Sequence, residues 1–155
     1  MHPPTHFLFA FLLGEVFVKF NLLSHELALI AGIIGLLIDL DHYIYYIIVH
    51  KNFSLKGAWN AAVVHHEHER TFIHHESGFL LVTIFILLLS IFRLDWFLVV
   101  AIGYYSHVFL DYAHLNIFNI RKIIKEKEGG FVIRYPLYEL IFGILILLGL
   151  VLLLL

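Results

Sequence analysis

His107, Asp111 and His114 stand at i, i+4 and i+7 in the stretch GYYSHVFLDYAH. On an α-helix that spacing puts all three on one face. Imidazole nitrogens and carboxylate oxygens are the donors that hold zinc and other borderline divalent ions. A second set, Asp39, Asp41 and His42, lies in LLIDLDH. Asp39 and His42 share a helical face, and Asp41 joins them only where the helix is broken or distorted. A third lies in HHEHERTFIHHESG, residues 65–78, which packs five histidines, three glutamates and an arginine into fourteen residues. His6 adds another imidazole near the start.

Several chemistries are excluded by what is missing. With no cysteine in the chain, thiolate sites and disulfides are ruled out, so any metal must be held by His, Asp and Glu. The His-Glu-x-x-His pattern of zinc proteases does not occur, because HEHER, HERTF, HESGF and HELAL each lack the second histidine at its offset. Neither a Gly-x-Ser-x-Gly elbow nor a phosphate-binding glycine loop is present. The formal net charge of −2 gives no nucleic-acid footprint.

The groups that could hold a metal sit in an apolar chain. Of 155 residues, 61% are hydrophobic and 14% charged, a balance that belongs to integral membrane proteins. The expected fold is all-α, a single polytopic membrane domain over residues 1–155 with about five transmembrane helices. The spans read as 7–20, 27–49, 79–92, 96–118 and 137–155, with a His-rich loop at 50–78. The start carries no basic region or cleavage site and reads as a retained span. This arrangement puts Lys51, Lys56, Arg70, Arg121, Lys122, Lys125, Lys127 and Arg134 on one side and only Lys19 and Arg93 on the other. Basic residues gather on the cytoplasmic side, so the N-terminus is expected inside and the C-terminus outside. Every histidine except His25 then falls on the cytoplasmic side. By helix rise, Asp111 lies roughly 10 Å and Asp39 roughly 15 Å below their helix ends.

Each feature also has an inert explanation. Loop histidines and glutamates can be solvated, as His2 and His50 are expected to be. His107 and Asp111 can be hydrogen-bonding glue between helices, and Glu15 can pair with Lys19 at i, i+4. The inert reading leaves the coincidence unexplained. Glu15, Asp39, Asp41 and Asp111 exposed to lipid would cost on the order of 10 kcal/mol together. They must face a protein interior, where a bound cation neutralises them.

Four stretches in order, THFLFAFLLGE, GIIGLLIDLDH, ERTFIHHESG and GYYSHVFLDYAH, resemble the LexA-regulated, membrane-bound metal-dependent hydrolase family. That family's pattern runs Thr-His near the start, then Leu-Pro-Asp-x-Asp-His, His-Arg-Gly-x-Thr-His-Ser and Gly-Tyr-x-Ser-His-x-x-x-Asp. The resemblance covers the chain to about Ala113. Ile38 stands at the family's proline, Glu69 at its first loop histidine and His75 at its serine. The family is distantly grouped with zinc-dependent phospholipase C and related nucleases. The resemblance implies phosphoester hydrolysis, with His6, Asp39, Asp41, His42, His74, His107 and Asp111 as metal ligands and Arg70 in the site.

The expectation is therefore a membrane-embedded, metal-dependent hydrolase in the inner membrane, its site facing the cytoplasm. Arg70 would bind phosphate, and His68 and Glu69 would move protons. Zinc is the expected metal, with manganese as an alternative, and the ligand number favours two or more ions. The substrate would be a lipid or other amphipathic phosphoester. The competing reading is a metal-ion binding or transport protein without hydrolase activity.

Overall fold

The computed structural model describes residues 1–61, 73, 75–116 and 137–155. These form seven helices in chain order: α1 (Pro3–Lys19), α2 (His25–Leu37), α3 (Leu40–His50), α4 (Leu55–Asn60), α5 (Glu76–Phe92), α6 (Leu94–Asn116) and α7 (Leu137–Leu154). Where described, the five stretches read as spans are helical apart from the turn at Ile38 and Asp39 and the ends at Phe20 and Leu155, and no strand occurs among the described residues. Among the described residues, two helices are long and apolar enough to cross a bilayer, His25–His50 taken through its internal turn and Leu137–Leu154. Helix α5 is apolar but has 17 residues. Helix α1 has 17 residues and carries His6, Glu15 and Lys19, and α6 carries Asp95, His107, Asp111 and His114. Segment 119–136 lies outside the described residues.

Local chemistry sets the ends. Pro3 and Pro4 open α1, where their missing N–H groups cost nothing. Asn21 closes it in the left-handed region, φ 56°, a conformation asparagine tolerates. Ser24 caps α2 by accepting from Leu27 N–H at 3.4 Å. Ser54 caps α4 by accepting from Gly57 N–H at 3.1 Å. Arg93 clamps the α5–α6 corner through two bonds to Asp95, at 3.1 and 2.7 Å. The break between α2 and α3 forms without proline. There Asp39, Asp41 and His42 donate from their N–H groups to Leu36, Ile38 and Asp39, in three-residue steps that tighten the turn.

The interior is built from small residues. A methyl group at Gly14 would lie 2.8 Å from Cα and Cβ of Ala28, so α1 and α2 are nearly backbone to backbone. One at Gly103 would lie 2.7 Å from Ile34 Cγ2 and 2.9 Å from the Ala31 carbonyl, which brings α6 equally close to α2. One at Gly35 would lie 3.0 Å from Ala10 Cβ and 3.2 Å from the His6 carbonyl. Small residues at helix contacts are how membrane bundles pack without a hydrophobic drive between helices. Large apolar side chains point outward instead: Leu80, Ile84, Leu88 and Ile91 on α5, and Ile141, Leu145, Leu148 and Leu152 on α7. Among the largest fully buried side chains are His6, His107 and Glu139.

This packing makes a test. Gly103→Ala forces a methyl against α2 backbone and should destabilise the bundle by about 1–3 kcal/mol. Gly143 on α7 has nothing within 4 Å of an added methyl. Gly143→Ala should be neutral or stabilising by about 0.5–1 kcal/mol through helix propensity. Thermal unfolding in detergent measures both, and a lower midpoint for Gly143→Ala than for Gly103→Ala would refute the packing.

Candidate metal centre

Three segments deliver four ligating side chains to one place. Helix α1 brings His6, the α2–α3 turn brings Asp39, and α6 brings His107 and Asp111 at i, i+4. One donor atom from each lies within 4.8 Å of all the others. His6 Nε2 is 3.2 Å from Asp111 Oδ1, His107 Nε2 is 3.3 Å from Asp111 Oδ2, and His107 Nε2 is 3.7 Å from Asp39 Oδ1. A tetrahedral ion with bonds of about 2.1 Å keeps its ligand atoms about 3.4 Å apart. The spacings lie near that value, with His6 and His107 facing different oxygens of Asp111.

The orientation of His107 matters most. Its Nδ1 lies 2.8 Å from the Gly35 carbonyl oxygen, which can only accept, so Nδ1 carries a proton. In the neutral ring Nε2 is then a lone pair aimed at two carboxylates. Acceptors facing acceptors repel unless a cation or proton lies between them. A backbone carbonyl fixing the tautomer of a histidine is the usual support of a metal-bound imidazole. The carbonyl can reach because Gly35 leaves room for α1 and α6 to close in. His6 stacks on His107, ring centroids 3.9 Å apart and 24° between planes. Both imidazoles are fully buried, whereas the Asp111 and Asp39 side chains keep 22% and 18% of their surface. The centre therefore opens on its carboxylate side. The Met1 amino group lies 3.0 Å from Asp111 Oδ1 and gives that carboxylate a positive neighbour.

The other candidate ligands take different places. Asp41 and His42 lie on the first turn of α3, outside the group of four, with Asp41 Oδ1 3.9 Å from His42 Nε2. His114 shares the α6 face in sequence, but its Nδ1 lies 2.9 Å from the Tyr138 hydroxyl on α7. His68, Glu69, Arg70 and His74 lie outside the described residues. Among the described residues, one group of four ligands forms, the donor number of a single four-coordinate ion.

Some of the polar interior is absent from the sequence reading. His2, expected to be solvated, is buried, with Nδ1 2.8 Å from Glu139 Oε2. Glu139 also accepts from His2 N–H at 2.6 Å and from the Thr5 hydroxyl at 2.7 Å. The signal available was a carboxylate in the first turn of the most apolar helix. Glu15 does not lean on Lys19; its carboxylate lies 2.9 Å from His25 Nδ1, at the end of α1 away from His6. His50 is exposed, its ring 4.6 Å from that of Tyr46.

No curated protein and no solved structure matches the chain at a significant level. The order of its motifs does have a family counterpart: the YdjM inner membrane protein family matches over residues 1–119, a stretch that contains all four residues of the centre. The chain, with its apolar helices and buried His/Asp cluster, belongs to the YdjM inner membrane protein family.

Proposed function

We propose that the chain is a membrane-embedded, metal-dependent hydrolase acting on a phosphoester in a lipid or other amphipathic substrate. The observation that carries this reading is the convergence of His6, Asp39, His107 and Asp111, with His107 held by Gly35 so that its Nε2 faces the carboxylates. Two imidazoles and two carboxylates suit zinc first and manganese second. A bound divalent ion supplies polarisation of a phosphoryl oxygen and a more acidic water.

The chain's own residues supply the rest. The buried imidazoles form a back wall, and the partly open carboxylates form the front by which a substrate approaches. Arg70 presents a guanidinium fork to the phosphate, and His68 and Glu69 take and return protons. A second ion would draw on Asp41, His42 and His74. The chain forms a five-span bundle with its N-terminus and site on the cytoplasmic side, as the distribution of Lys and Arg supports.

Ion transport is the weaker reading. Along α1, the buried positions between His6 and Glu15 are Ala10 and Gly14, which offer an ion no ligand from that helix. The test is turnover of a phospholipid and soluble phosphoester panel by purified full-length protein. Chelation should abolish turnover, and zinc or manganese should restore it. Metal-loaded protein that turns over nothing in the panel would return the reading to metal binding alone.

A further inference from the structure

Helix α7 contributes nothing to the group of four, yet one of its residues holds the end of the helix that does. Glu139 is 1% exposed and lies beyond the family-matched residues. Its carboxylate takes three donors: His2 N–H at 2.6 Å, the His2 ring at 2.8 Å and the Thr5 hydroxyl at 2.7 Å. All three belong to the N-cap residue and the first turn of α1, immediately before His6.

The Met1 amino group on Asp111, at 3.0 Å, and the His2 ring tilted against Trp59 hold the same end. Pro3 and Pro4 donate no hydrogen bond, and the His2 side chain makes no cap bond within its own helix. A capping-box glutamate reaches back within its helix to the N-cap N–H. Glu139 makes the corresponding bond from another helix. A carboxylate at this end also complements the positive pole of α1. His6 is one residue past Thr5, and its own N–H bonds to the His2 carbonyl at 3.4 Å. The depth and rotation of the His6 ring follow from where His2 and Thr5 are pinned.

We propose that Glu139 is a positioning residue for the metal ligand His6, so that α7 sets the affinity of a centre it does not enter. This inference rests on the metal reading above. Partners that support metal ligands typically change affinity by about 10–100-fold when removed. Glu139→Ala should therefore weaken zinc and cobalt binding by about 10–100-fold and change the visible spectrum of the cobalt-loaded protein. Glu139→Gln keeps an oxygen for His2 N–H and Thr5 and should recover most of the affinity.

The deciding comparison is a double-mutant cycle with His6→Ala in full-length, detergent-solubilised protein. Coupled residues are non-additive. In the His6→Ala background, Glu139→Ala should cost less than about 3-fold further. Thr5→Val, which is nearly isosteric, should reproduce part of the loss without removing a charge. Wild-type protein that binds neither metal overturns the metal reading and this inference together. Wild-type binding with unchanged Glu139→Ala affinity and spectrum overturns this inference alone, as does full additivity with His6→Ala. If Glu139→Ala does not fold, unchanged affinity in Thr5→Val overturns it equally.

Discussion

Asp111→Asn is expected to weaken divalent-ion binding by more than about 100-fold, beyond the ~10–100-fold that loss of a supporting partner costs. Asparagine keeps the volume of aspartate, so the packing of α6 is unchanged and the loss reports the carboxylate. Asp111 is central because one of its oxygens faces His6 at 3.2 Å and the other faces His107 at 3.3 Å. Competition with a chromogenic chelator, on full-length protein in detergent, measures the effect. His25→Ala is the control, since His25 is bonded to Glu15 at the other end of α1. Its affinity should stay within about 2-fold of wild type. Unchanged affinity in Asp111→Asn would remove it from the ligand set.

Arg70→Ala should lower kcat/KM on a phosphoester by about 10–100-fold, the ~1.5–3 kcal/mol of a charge-assisted hydrogen bond, while leaving metal content intact. Arginine is not a ligand, so the two readouts separate. Arg70→Lys restores the charge without the planar fork and should recover only part of the rate. Loss of metal in Arg70→Ala, or turnover equal to wild type, would deny Arg70 the phosphate role.

The parts of this centre that sequence made legible are those set by local geometry. His107 and Asp111 sit four residues apart, and any α-helix brings them together. Asp39 could be singled out because a carboxylate inside an apolar run needs an interior partner. What sequence could not supply were distances between segments. His114 continues the α6 periodicity as well as Asp111 does, yet α7 meets it with Tyr138. His2 looks terminal and solvated until Glu139, far along the chain, encloses it. The turn that sends Asp39 inward forms with Ile38 where proline would have announced it, because three-residue hydrogen bonds break the helix instead. The same limit applies to the spans. Apolar runs mark all five stretches, while the polar positions on α1 and α6, such as Glu15 and His107, find their partners only in the folded bundle.

The central claim is that His6, Asp39, His107 and Asp111 hold one divalent ion in a shell containing two imidazoles. X-ray absorption at the zinc edge of purified, zinc-loaded full-length protein tests it most directly. The account predicts four or five nitrogen and oxygen neighbours at about 2.0–2.2 Å, the fifth being water, with outer-sphere scattering from two imidazole rings. That imidazole scattering should be lost in part when His6 or His107 is replaced by alanine. A shell of oxygen alone, or one unchanged by removal of either histidine, would contradict it.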